Sequence, residues 1–139
     1  MTLCLRENFD QSLIENWEVD RGWQIERIRE RNLLVGKGHS WLTLKRGEEW
    51  TNYSFRCRFK LSEGALHLNY RISEEGRYFV GVRENELYLK KEAPWGKFTD
   101  LAREDLNLDP EVWHNFKIEG DEGKLQIHID DKLRIEYVD

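Results

Sequence analysis

Along the segment YSFRCRFKLSEGALHLNYRI, Tyr53 to Ile72, hydrogen-bonding side chains recur at every second position: Arg56 and Arg58 first, then His67, Asn69 and Arg71. Tyr88 and Lys90 repeat the spacing within LYLKK, and Trp95 stands in a Pro-Trp-Gly stretch. These residue types meet the needs of saccharide recognition: polar groups for the hydroxyls, and Tyr88 or Trp95 as an aromatic platform for the apolar face of a sugar ring. The basic members suit an anionic glycan, a phosphate-bearing ligand or an acidic protein surface as well, because the planar fork of arginine matches carboxylate and sulfate. The plain alternative is a solvated sheet face on which Arg and Lys maintain solubility.

Bond-breaking chemistry has less support. A retaining glycosidase needs two carboxyl groups about 5 to 5.5 Å apart. Glu18 and Asp20 alternate in WEVD, Glu84 and Glu86 fall in a turn, and Glu119 and Asp121 straddle Gly120, so each reads as solvated charge. His39, His67, His114 and His128 lack the paired spacing of a zinc site, and their order argues for no nucleophile and base. Cys4 and Cys57 read as free thiols, with Cys57 on the apolar side of a strand. The expectation is a binding module with no catalytic residues.

The elements that must position these side chains follow a period of two. YSFRCRFKL sets Tyr53, Phe55, Cys57, Phe59 and Leu61 against Ser54, Arg56, Arg58 and Lys60, and LHLNYRI sets Leu66, Leu68, Tyr70 and Ile72 against His67, Asn69 and Arg71. RYFVGVR, LYLKK, NFKIE, LQIHID and LRIEYV continue the pattern, with GDEG and DDK as tight turns between the last three. Earlier strand candidates are LCLRENF, WEVD, WQIER, NLLVG and SWLTLK. DQSLIENW and LAREDL each fit one or two helical turns, and Lys91 to Trp113 reads as a loop or crossover. Successive short strands with one apolar face each predict an all-β fold, an antiparallel two-sheet β-sandwich in one domain spanning 1–139. Pairing Tyr53–Ile72 as a hairpin would bring Arg56, Arg58, His67, Asn69, Arg71, Tyr88 and Lys90 onto one surface.

The 139 residues are 39% hydrophobic and 35% charged, a mixture too apolar for a disordered chain. Twenty-two basic and 27 acidic residues give a formal charge of -5, which makes nucleic acid an unlikely partner. MTLCLRENFD has neither the basic segment nor the apolar run of a signal peptide, and no stretch approaches the length of a membrane span. The expected location is cytoplasmic for a complete chain and extracellular for a domain excised from a secreted protein.

ENFDQSLIENWEV, GWQIE, NLLVGKGHSWLTL, WTNYSFRCRFKL, YFVGV, LYLKK and above all WHNFKIEGDEGKLQIHIDDK resemble the concanavalin A-like jelly rolls. The similarity is to the laminin-G-like branch and to the domains of the 3-keto-disaccharide hydrolase family. The resemblance implies a sandwich with one saccharide-holding sheet face and no required cofactor. It also implies that structural calcium could sit on oxygens of Asn8, Asp10 and Asp139. Relatives continue past the YVD position with another strand, so the resemblance implies a jelly roll shortened at its C-terminus. Its open edge would suit a homodimer or a protein partner, and an assembly domain is the alternative to a lectin-like module. A glycoside-processing enzyme is a further alternative that rests on the resemblance alone.

Overall fold

The computed structural model describes residues 5–10, 13–45 and 50–139, and Cys4 lies outside them. The chain forms two compact units, Met1–Gly47 and Glu48–Asp139. In the first, helix α1 (Leu13–Asn16) precedes β1 (Trp17–Val19), β2 (Trp23–Ile28), β3 (Arg31–Gly36) and β4 (Leu42–Leu44). β1 pairs antiparallel with β4, and β2 with β3. The β2–β3 turn is a two-residue loop whose Arg29 and Glu30 both take positive φ, the left-handed geometry that suits the twist of a tight hairpin. DQSLIENW thus supplies one helical turn as expected, whereas Leu5–Phe9 of the LCLRENF candidate is not a strand.

The second unit holds β5 (Ser54–Phe59), β6 (Leu66–Tyr70), β7 (Arg77–Val82), β8 (Glu86–Glu92), β9 (Phe98–Asp105), β10 (His114–Asp121), β11 (Lys124–Ile129) and β12 (Lys132–Val138). They build two antiparallel four-stranded sheets, ordered β12-β11-β10-β5 and β6-β7-β8-β9. The fold is all-β, as the alternation predicted. Val80, Val82, Leu87 and Leu89 of one sheet and Phe116, Ile118, Leu125, Ile127, Ile129 and Ile135 of the other form a single buried cluster. Alternation requires this: each strand turns every second side chain inward, and the apolar set is removed from water only when the sheets face each other.

Three sequence expectations fail here, one of them in part. Tyr53–Ile72 is not a hairpin, because β5 and β6 belong to different sheets and the SEG segment crosses between them. Lys91–Trp113 is a crossover only in its last part: β8 runs on to Glu92, turns through Pro94-Trp95-Gly96 and returns as β9, and Leu106–Trp113 then crosses to β10 in the other sheet. LAREDL lies in β9 and the residue following it, not in a helix. Its alternation is masked by a bulge between Leu89 and Lys90, after which the paired residues on β9 skip one position.

Polar contacts close the ends of the sandwich. The Tyr70 hydroxyl donates to the Tyr53 carbonyl, and the Arg71 guanidinium donates to the carbonyls of Thr51 at 2.6 Å and Glu122 at 2.8 Å. Gly120 makes room for this, since a Cβ there would stand 2.6 Å from Arg71 Nη2 and 2.7 Å from Tyr70 Oη. Near the start of β10, His114 Nδ1 lies 2.8 Å from Asp130 Oδ2, and Nε2 lies 3.0 Å from the Asp109 carbonyl oxygen. Both partners are acceptors, so only the imidazolium satisfies both. The Asp109 carbonyl, joined by the Asp130 carboxylate, raises the His114 pKa above its ordinary 6.5. A raised folded-state value means that the stabilisation is complete below the unfolded value and fades as pH rises through the folded one. The denaturation midpoint of the wild type should therefore fall between about pH 6 and about pH 9, and that fall should shrink in His114→Gln, as urea titrations at a series of pH values would measure.

Candidate binding face

Because Leu66, Leu68, Val80, Val82, Leu87 and Leu89 turn inward, their neighbours form the outer face of the β6–β9 sheet. Backbone pairing sets them in three rows across the strands. One row is His67, Gly81, Tyr88 and Arg103; the next is Asn69, Phe79, Lys90 and Asp100; the third is Arg77, Glu92 and Phe98.

Aromatic rings occupy the middle of this face. The Phe79 centroid is 4.8 Å from that of His67 and 6.1 Å from those of Tyr88 and Phe98. Tyr88 Oη lies 3.2 Å from His67 Nε2, and the Lys90 ammonium stands 5.3 Å from the Tyr88 ring centroid. Tyr88 lies flat because residue 81 is glycine: a Cβ there would fall 1.9 Å from the ring's Cζ. Trp95 in the β8–β9 turn is anchored by its indole N–H, which donates to the Ser73 carbonyl at 3.0 Å. Trp95 and Phe98 remain 46% and 50% exposed.

Beneath these rings lies a buried ion pair. Arg77 Nε donates to Glu92 Oε1 at 2.7 Å, Arg77 Nη1 donates to Asn69 Oδ1 at 2.5 Å, and the two charged side chains are only 10% and 8% exposed. The guanidinium carbon lies 4.9 Å from the Phe79 ring centroid, 5.5 Å from that of Trp95 and 5.9 Å from that of Phe98. The Gly96 N–H, donating at 2.8 Å, and then Arg77 hold the Glu92 carboxyl below its ordinary pKa. Glu92 therefore orients Arg77 and the Trp95 turn together. At the rim, Lys90 pairs with Asp100 at 3.4 Å and Arg103 with Glu86 at 3.1 Å.

The expected single surface is divided. His67, Asn69, Tyr88, Lys90 and Trp95 belong to this sheet and its turns, while Arg56 and Arg58 lie on β5 in the opposite sheet. Arg71 follows β6 at φ 53° and is spent on the carbonyls of Thr51 and Glu122, so it is a closure of the sandwich end. Asp139, nominated for calcium, accepts from Lys91 Nζ at 2.6 Å and from the Tyr78 hydroxyl, and these contacts lower its pKa. Asn8 and Asp10 belong to the other compact unit. Among the described residues no group of three or more His, Cys, Asp or Glu is arranged to hold a metal ion. Cys57 is a free thiol packed against the core, and burial pushes its pKa up to about 12, so it is protonated at neutral pH.

Sequence reasoning missed Arg77, Phe79, Glu92, Phe98, Asp100 and Arg103. The signal for the first two was present, since Arg77, Phe79 and Gly81 alternate with Tyr78, Val80 and Val82 in RYFVGVR. The remaining residues lie at the end of β8 or on β9, which the prolines and the bulge disguised.

The sequence matches no family model and no curated protein. Among solved structures the fold is similar to the carbohydrate-binding module CBM66 from Bacillus subtilis, with 17% identity and a TM-score of 0.67 over 89% of this chain and 80% of that one. The likeness supports the β-sandwich. Among the described residues no helix is long and apolar enough to cross a membrane.

Two outcomes test how the face is built. Gly81→Ala should swing the Tyr88 ring away and abolish its contact with His67, visible as loss of ring-to-ring NMR cross-peaks, with stability changed by no more than about 1 kcal/mol. Glu92→Ala removes the carboxylate that Arg77 and the Gly96 N–H share and should lower the denaturation midpoint in urea unfolding.

Proposed function

We propose that this protein is a non-catalytic, lectin-like carbohydrate-binding module of the concanavalin A-like jelly-roll type, holding its saccharide on the outer face of the β6–β9 sheet. The observation that carries the reading is half-exposed Phe98, contiguous through Phe79 with Tyr88 and bordered by His67, Asn69, Lys90 and Asp100, with half-exposed Trp95 sharing the Arg77 guanidinium with Phe98. Aromatic rings desolvate the C–H face of a sugar, and nearby polar side chains replace the water its hydroxyls lose. Rings locked by Gly81, Ser73 and the Arg77–Glu92 pair lose little freedom on binding, which favours affinity. The fold's likeness to a carbohydrate-binding module supports the reading at the level of architecture.

A glycan array of neutral and acidic saccharides tests it. Wild type should bind, and Tyr88→Ala, Trp95→Ala and Phe98→Ala, each with an unchanged circular dichroism spectrum, should each weaken binding by roughly tenfold. An array on which wild type binds nothing would overturn the saccharide reading and favour a protein-interaction role for this face.

A further inference from the structure

The opposite sheet presents a different surface at its edge strand. Arg56 and Arg58 on β5 and Lys60 directly after it follow one another on the outward side, with the two arginines roughly 6 to 7 Å apart along the strand. All three are exposed, and among the described residues none of them makes an ion pair with a carboxylate. Across the strand, Lys117 is the backbone partner of Arg56. Cations directly opposite each other destabilise a sheet. The carboxylate beside them is Glu119, 3.0 Å from Lys117 Nζ, and Arg56, Arg58 and Lys60 form a local basic strip in a protein whose total charge is -5.

Trp113, just before β10, organises the end of this strip. The Arg58 guanidinium carbon and the Lys60 ammonium each lie 5.4 Å from the centroid of its indole, which is 40% exposed. Long basic side chains ordinarily move freely, and ordering them opposes binding. Cation–π contact with one shared ring holds these two in place beforehand.

We propose that Arg56, with Arg58 and Lys60 steadied by Trp113, forms a second binding site for an acidic polysaccharide, one carrying sulfate or carboxylate groups along an extended chain. Repeating anions relieve the repulsion between Arg56 and Lys117 and gain charge-assisted hydrogen bonds from Arg58 and Lys60. A single-stranded nucleic acid fits less well, because its bases need open aromatic faces for stacking and the Trp113 ring is engaged by two cations. An acidic protein surface also fits less well, since stable interfaces deplete charge at their centre and this strip is charged throughout.

The full chain is titrated with labelled dextran sulfate and with neutral dextran of equal length, by fluorescence anisotropy across a series of salt concentrations. Saturable binding of the sulfated polymer alone, weakening with salt, is expected. Arg58→Ser with Lys60→Ser should lower the affinity by roughly tenfold or more and reduce the salt slope by about two charges, and Arg56→Ser alone should reduce the slope by about one. The melting temperature of Arg56→Ser should not fall, because it removes like-charge repulsion with Lys117, and an unchanged circular dichroism spectrum checks the fold of the double variant, which loses two cation–π contacts to Trp113. Failure of the wild type to distinguish the two dextrans, full binding by the double variant, or a single-stranded oligonucleotide of equal charge outcompeting dextran sulfate would each overturn the proposal. Tyr88→Ala and Phe98→Ala should leave dextran sulfate binding intact, which separates this site from the face across the sandwich.

Discussion

The second unit depends on the burial of one aliphatic layer between two sheets. Val80, Val82, Leu87, Leu89, Leu125 and Ile127 retain no exposed surface, and they come from strands on both sides of the layer. A two-residue period allows no compromise: a strand that slipped by one position would send these side chains to water and draw charged ones inward. The register printed by the core therefore also sets which residues stand on each outer face. Tyr88 and Lys90 are outside because Leu87 and Leu89 are inside.

Apolar burial is non-directional, and the ends of the sandwich are fastened by directional polar contacts. Tyr53, Tyr70 and Arg71 join the end of β6 to the β10–β11 turn through the space left at Gly120. Asp139 joins the end of β12 to Tyr78 and Lys91 of the other sheet. His114 joins the start of β10 to Asp109 and Asp130. These side chains resemble ligand-binding groups in their chemistry, but their polar atoms are occupied by backbone carbonyls and carboxylates of the same unit.

The two outer faces differ in how their cations are treated. On the β6–β9 sheet the central arginine, Arg77, is neutralised by Glu92 and covered by rings, so the face offers aromatic surface with polar groups around it. Along β5 and the residue after it the cations are exposed, two of them held by a single indole, so that edge offers charge. Removing a charge from water is favourable only with a partner of opposite sign beside it, and the position of Glu92 next to Arg77 produces this difference.

By itself the sequence determined the all-β class, most strand positions and the inward set of each strand, because alternation is a local property written in consecutive residues. The side to which Tyr88, His67 and Lys90 belong was legible for the same reason. Only the tertiary structure decided that β5 and β6 part into different sheets, separating Arg56 and Arg58 from His67 and Asn69. Adjacent strands with a short turn suit a hairpin and a crossover equally well in pattern, and the choice rests on contacts with β10 and β7, far along the chain. The same holds for Arg77 and Glu92, fifteen residues apart in sequence, whose pairing exists because β7 and β8 lie side by side.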